Sequence, residues 1–248
     1  MNILGIIPAR YASTRFPGKP LADIMGKSMI RRVYEQSKKS VLLNKVIVAT
    51  DDQRILEHVE SFGGQAVMTS HDHQSGTSRC FEAVNRIAAP LPDIVINIQG
   101  DEPFIDPDQI NKLAELFSNE NVQIATLIKR ISSTEELFNP NIVKVVTDLN
   151  SRAVFFSRSP IPFVRNESQQ NWLNKANFYK HIGIYAYRTK MLEKIVRLPA
   201  SKLETAESLE QLRWIEHGMT IHTAETDKEG FAVDTPDDLK KLSTFYRS

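Results

Sequence analysis

Short β-branched apolar runs alternate along this chain with longer stretches of helical period, the pattern of βαβ units built around a mostly parallel sheet. Residues 2–7, 45–50, 66–68 and 94–98 predict strands, and residues 29–40, 52–62 and 76–88 repeat apolar positions at helical spacing and predict helices. Residues 8–27 between the first strand and the first helix read as a long loop. Asp106 before Pro107 predicts an N-cap followed by a first helical residue, for a helix ending near Phe117. Strands around residues 124–129, 143–147 and 153–156 then follow in quick succession, before a polar stretch with prolines and asparagines from 157 to 177. There the doubly wound alternation breaks. Residues 182–186 predict one more strand and 206–216 a helix, and the region after Leu137 reads as an insertion that returns to the main sheet near Gly230.

Composition narrows the class. A chain of 248 residues, 41% hydrophobic and 25% charged, can bury a substantial core and fits one large α/β domain. Thirty-one basic against 30 acidic side chains leave a net charge of +1, so no global charge points to nucleic acid as a partner. The apolar runs fall far short of the roughly 20 residues a membrane-spanning helix needs, and the N-terminus lacks the pattern of a signal peptide. A cytoplasmic protein with no membrane partner is therefore expected. The single cysteine, Cys80, sits among helix-like residues and reads as a small buried side chain.

A parallel sheet presents ligands beyond the carboxyl ends of its strands, and three predicted loops lie there. The first, IPARYASTRFPGKPL (7–21), carries Arg10, Arg15 and Lys19 around the turn formers Pro17 and Gly18. Three cations on one loop suit a triphosphate leaving as pyrophosphate, although a solvated basic loop has the same composition. The loop matches neither GxxxxGK[ST] nor GxGxxG. The second, NIQGDEPFIDP (97–107), ends a buried strand in Gln99-Gly100 and presents Asp101 and Glu102, hard oxygen donors of the kind Mg²⁺ takes. Asp106 is explained by capping, whereas Asp101 lies too early for that. The third, FAVDTPDDL (231–239), reads as a capped helix start with Thr235 as N-cap and Asp238 three residues on. Asp234 is left over, at the end of a strand-like run, so that two carboxylates on neighbouring strands are placed to share metal.

Beyond those loops, HQSGTSR (73–79), FNPNIVKVV (138–146), FFSRSPIP (155–162), YKHIGIYAY (179–187) and LETAESLEQLR (203–213) complete a pattern that resembles the 3-deoxy-manno-octulosonate cytidylyltransferases, in order and across essentially the whole chain. The resemblance implies a nucleotide-diphospho-sugar transferase (Rossmann-like) α/β fold with a mixed, mostly parallel sheet. It implies one domain over residues 1–248 with an inserted sugar-binding and dimerisation lobe at about 138–229, and a homodimer. It also implies roles. Arg10, Arg15 and Lys19 would hold the triphosphate of CTP, with Pro8 and Ala9 placing backbone against the nucleotide. Ser75, Gly76 and Arg79 would face the cytidine. Gln99, Arg158, Arg165, His181, Tyr185, Glu210 and Gln211 would line a pocket for an acidic eight-carbon sugar, with Asp101 and Asp234 as the Mg²⁺ ligands.

The implied activity is cytidylyl transfer from CTP to 3-deoxy-manno-octulosonate or its 8-amino analogue, for lipopolysaccharide synthesis. A glycosyltransferase or a non-catalytic nucleotide-binding module of the same fold is the alternative. Where many members carry an acidic residue before the arginine of the SGT-(Asp/Glu)-Arg motif, this chain has Ser78. A carboxylate there would steady the Arg79 guanidinium, so base selection is expected to be looser with serine.

Overall fold

The computed structural model describes residues 1–12, 16–87 and 90–245, the side chains of 243–245 excepted. The chain opens on β1 (Ile3–Ala9), almost wholly buried. A 3-10 turn at Lys19–Leu21 and a small hairpin of β2 (Asp23–Ile24) and β3 (Lys27–Ser28) occupy the second half of the expected loop. Helix α1 (Met29–Ser37) starts on Ser28, whose hydroxyl accepts from the Arg31 amide, and ends short of the expected residue 40. Then come β4 (Lys45–Thr50), α2 (Gln53–Ser61) capped by Asp52, β5 (Ala66–Met68) and α3 (Gly76–Arg86) capped by Ser75. Strand β6 (Ile94–Asn97) leads to α4 (Pro107–Glu115), where Asp106 and Gln109 form a reciprocal capping box and a 3-10 turn extends to Ser118.

The second half continues with β7 (Ile124–Arg130), α5 (Thr134–Phe138), β8 (Lys144–Thr147), β9 (Ala153–Ser157) and α6 (Trp172–Lys175). Strand β10 (Tyr179–Arg188), α7 (Thr189–Val196), α8 (Lys202–Glu207), α9 (Glu210–Glu216), β11 (Ile221–Glu225) and α10 (Pro236–Phe245) complete the chain. Among the described residues the main sheet has nine strands, in the order β11-β7-β10-β6-β1-β4-β5, with β8 paired to β10 and β9 to β8. Strand β10 runs antiparallel to β6 and β7, while β6, β1, β4 and β5 are mutually parallel and β11 is parallel to β7. The sheet is thus mixed and mostly parallel, with the carboxyl ends of β1, β4, β6 and β7 along one edge.

Both faces of that sheet are covered. Ile3 and Ile7 of β1 pack with α1, α2 and α4 on one side, and Leu4 and Ile6 pack with α3, α7 and α9 on the other. Burial on two faces is why these strands read as unbroken apolar runs rather than alternating ones.

Three expectations differ from what is observed. The chain rejoins the main sheet at Tyr179, long before Gly230: β10 is ten residues long and lies between β6 and β7. Its polar and glycine positions, from Lys180 to Gly183, masked its length in the sequence. The helix expected over 206–216 is broken at Ser208, which adopts a left-handed φ of 52° and splits it into α8 and α9. Residues 226–235 form no strand; they cross the sheet's carboxyl edge, where the Val233 amide donates to the Asp101 carbonyl at 2.9 Å. Asp234 therefore reaches Asp101 through this loop contact and not from a neighbouring strand end. No described helix is long and apolar enough to cross a membrane.

Candidate active site

The ends of β1 and β6 and the start of α3 meet at the sheet's carboxyl edge because glycine stands where a side chain would collide. A Cβ at Gly100 would lie 2.8 Å from the Pro8 carbonyl oxygen, and one at Gly76 would lie 3.2 Å from Pro8 Cγ. This close approach leaves a cavity of about 180 Å³ lined by Pro8, Ala9, Arg10, Ser75, Gly76, Arg79 and Gln99, together with His73 and Gln74. Of the residues expected at the nucleotide, Pro8, Ala9, Arg10, Ser75, Gly76 and Arg79 line that one space, whereas Lys19 stands outside it. Ser75 and Gly76 put the N-terminal end of α3 at this space, an end that favours negative charge. Arg15 lies outside the described residues.

Arg79 is held more firmly than its neighbour Ser78 suggests. Its guanidinium is buried, donating to Asp51 Oδ2 at 2.8 Å, Thr69 Oγ1 at 2.7 Å and the Ser70 carbonyl at 3.2 Å. The orienting carboxylate is Asp51, at the end of β4, so the expectation that serine at 78 leaves Arg79 loose is corrected. Ser78 belongs to another network. Its amide donates to the capping Ser75 hydroxyl at 3.2 Å, and its own hydroxyl meets His73 Nδ1 at 3.0 Å. His73 Nε2 bonds to Glu82 one turn further along α3. Burial raises the Glu82 carboxyl, but hydrogen bonds from His73, the Ser70 amide and Arg86 outweigh it and pull it down to about 2.

Beside this cavity stands an ionic cluster. Lys19 Nζ lies 2.8 Å from Asp101 Oδ2 and 3.3 Å from Asp234 Oδ1, bridging the two carboxylates named from the sequence. The crossing loop that delivers Asp234 is seated tightly: a Cβ at Gly230 would lie 2.5 Å from Glu102 Oε2. Burial, then the charges of Asp101 and Glu229, push the Glu102 carboxyl up to about 7. The start of α10 is capped as expected, with the Asp238 amide on the Thr235 hydroxyl and the Thr235 amide on Asp238.

The residues expected at the sugar divide. Gln99 donates to the Gly183 carbonyl at 2.8 Å, tying the end of β6 to a bulge in β10. His181 and Tyr185 stand on β10 with ring centroids 5.1 Å apart, and His181 Nε2 meets Thr126 Oγ1 at 3.0 Å. Burial among these rings pushes the His181 imidazole down to about 3, so it stays neutral. Glu210, the first residue of α9, accepts from the Thr77 hydroxyl at 2.7 Å, and Gln211 beside it is buried rather than solvated. Arg158 instead donates to the carbonyls of Glu207 and Pro140, and Arg165 is exposed on the turn after β9. Of the seven, Gln99 alone lines the cavity. Cys80 is buried, its thiol pushed up by desolvation.

Sequence reasoning missed Asp51, His73, Glu82 and Thr77. The signal for Asp51 was present: Asp51-Asp52 follows a buried strand, and one carboxylate suffices to cap α2, as Asp106 suffices for α4.

The family model described as Cytidylyltransferase matches residues 4–221. A protein of Parabacteroides distasonis named 3-deoxy-manno-octulosonate cytidylyltransferase is 54% identical over 99% of this chain and 98% of its own length. One of the same name from Thermodesulfovibrio yellowstonii is 52% identical over 97% of this chain and 96% of its own. A solved structure described as CMP:2-keto-3-deoxy-manno-octonic acid synthetase complexed with CTP covers 100% of this chain and 99% of its own, at 43% identity and a TM-score of 0.92. A 4-diphosphocytidyl-2C-methyl-D-erythritol synthase of Anaerococcus prevotii, 12% identical with a TM-score of 0.63 and covering 100% of this chain and 99% of its own, shares the fold.

Proposed function

The chain belongs to the cytidylyltransferase family, and from that membership we propose that it transfers CMP from CTP to 3-deoxy-manno-octulosonate, releasing pyrophosphate. The observation that carries this reading is the gathering of Pro8, Ala9, Arg10, Ser75, Gly76, Arg79 and Gln99 around one cavity, with the Lys19–Asp101–Asp234 cluster close by on the same sheet edge. Asp51 holds Arg79 in one orientation toward the base side, so its hydrogen-bonding groups are preorganised rather than recruited. Arg10 and Lys19, with Arg15 from the same loop, neutralise the triphosphate.

In the reaction the anomeric hydroxyl of the sugar attacks the α-phosphorus in line. A new P–O bond forms to the sugar, the bond to pyrophosphate breaks, and the hydroxyl proton leaves to solvent. The His181 imidazole, kept neutral by burial and engaged with Thr126, orients substrate rather than serving as a strong acid. Asp101 and Asp234 fit a divalent cation: both are hard oxygen donors, and a cation, the Lys19 ammonium, already sits between them. Held by Asp101 and Asp234, Mg²⁺ would supply charge stabilisation for the reacting phosphates. The sequence resemblance supports a homodimer as the working unit, a cytoplasmic setting and a product destined for lipopolysaccharide synthesis.

A coupled pyrophosphate assay tests the reading. Adding the octulosonate to enzyme, CTP and Mg²⁺ should start pyrophosphate release. A glycosyltransferase would give a nucleoside diphosphate from an activated sugar instead, and a binding module would give no turnover.

A further inference from the structure

We propose that Lys19 occupies the Asp101–Asp234 pair in the nucleotide-free protein and yields it to a divalent cation only when a triphosphate draws its ammonium away. This rests on the assignment of that pair as metal ligands. Metal and nucleotide then enter as one unit, and the bare ion is refused.

The geometry carries the argument. The ammonium contacts one oxygen of each carboxylate, at 2.8 and 3.3 Å, so it holds the place where both would converge on an ion. The Lys19 side chain is only 16% exposed, against 27% for Asp101 and 41% for Asp234, so the contacts are shielded more than a surface pair. A divalent ion arriving alone must break both ion pairs and leave the displaced ammonium beside a new dication. That repulsion at short range opposes binding.

A triphosphate changes the balance. Lys19 follows Gly18, whose amide closes the loop onto the Tyr11 carbonyl at 3.0 Å and whose left-handed φ of 72° favours glycine. The same loop carries Arg10 at the cavity, so phosphates reaching past Arg10 come within range of the ammonium. They offer it several negative charges in exchange for two carboxylates, and they bring oxygen ligands for the ion released onto Asp101 and Asp234. A lysine serves this exchange better than an arginine would, since its compact ammonium on a flexible stem changes partners without a fixed bidentate fork.

The test is binding of Mn²⁺ alone, read by electron paramagnetic resonance of the free ion, to the full chain without nucleotide. Lys19→Met should bind Mn²⁺ at least tenfold more tightly than the wild type, and Lys19→Gln, a second variant should the first fold poorly, should do the same. Equal or weaker binding by folded variants overturns the proposal. Adding Asp101→Asn and Asp234→Asn to Lys19→Met separates the two layers. Loss of Mn²⁺ binding there, with a gain in Lys19→Met, supports the exchange. Loss there with no gain in Lys19→Met sinks the exchange and leaves the metal assignment standing. Retained binding sinks the metal assignment and the proposal with it.

Discussion

Asp51 and Arg79 form a buried ion pair, 2.8 Å from Oδ2 to the guanidinium, that joins the end of β4 to the first turns of α3 beside the nucleotide cavity. Removing one partner leaves the other charged and buried, which costs about 3–5 kcal/mol in comparable pairs. Asp51→Asn should therefore lower Tm clearly, and it should raise KM for CTP more than KM for the sugar. Separate titration of the two substrates at a temperature where the variant is folded checks this. Equal effects on both would place Asp51 in the core alone.

Because Asp51 already steadies Arg79, Ser78→Asp should leave the ratio of kcat/KM for CTP over UTP unchanged. The added carboxylate stands in the first turn of α3, where the helix dipole favours it by about 0.3–1 kcal/mol. It also faces His73 and lies one turn from Glu82. The expected outcome is a small shift in Tm with unaltered base preference, measured on one preparation. A raised CTP preference would return residue 78 to base selection.

Gly100→Ala should disable the site from a position with no chemistry. Its Cβ would meet the Pro8 carbonyl at 2.8 Å, and that contact is backbone, so β1 and β6 must part for it to fit. Loss of CTP binding by calorimetry, at least tenfold, with a melting temperature reduced by several degrees, is the expected result. Wild-type affinity would mean that the strand ends do not shape the cavity.

The sequence announced the fold where burial is two-sided: β1, β4 and β6 are unbroken apolar runs, and the caps Ser28, Asp52, Ser75 and Asp106 stand where the helices begin. It was silent where tertiary contacts outweigh local pattern. Strand β10 carries Lys180, buried against Glu136 and Glu229, so its alternation is spoiled by a charge that only an ion pair explains. The break at Ser208 rests on a left-handed residue that sequence does not flag, since serine rarely adopts it. At the site, residues on one loop were legible together, such as Arg10 with Lys19 and Gln99 with Asp101. Contacts between distant segments, such as Thr77 with Glu210, were not.

His181 gives a pH signature. Its folded-state imidazole is pushed down to about 3 by burial, below the ordinary value of 6.5. The unfolded chain takes up a proton as pH falls through about 6.5 while the folded one does not, so stability is lost toward acid. By pH 5.5 this amounts to about 1.4 kcal/mol relative to pH 7.5. Urea melts of wild type and His181→Gln at both values should show a smaller acid loss in the variant. Identical losses would mean that His181 is solvated and titrates normally.

The central claim is tested most directly by a phosphorus NMR spectrum of one reaction containing the protein, CTP, the octulosonate and Mg²⁺. As CTP disappears, the phosphodiester and pyrophosphate resonances should grow in equimolar product yield, one phosphorus against two, with no cytidine diphosphate, and Asp101→Asn or Asp234→Asn should nearly abolish that growth while leaving the protein folded. Cytidine diphosphate as the product, unchanged CTP with the wild type, or undiminished rates in both Asp variants would contradict it.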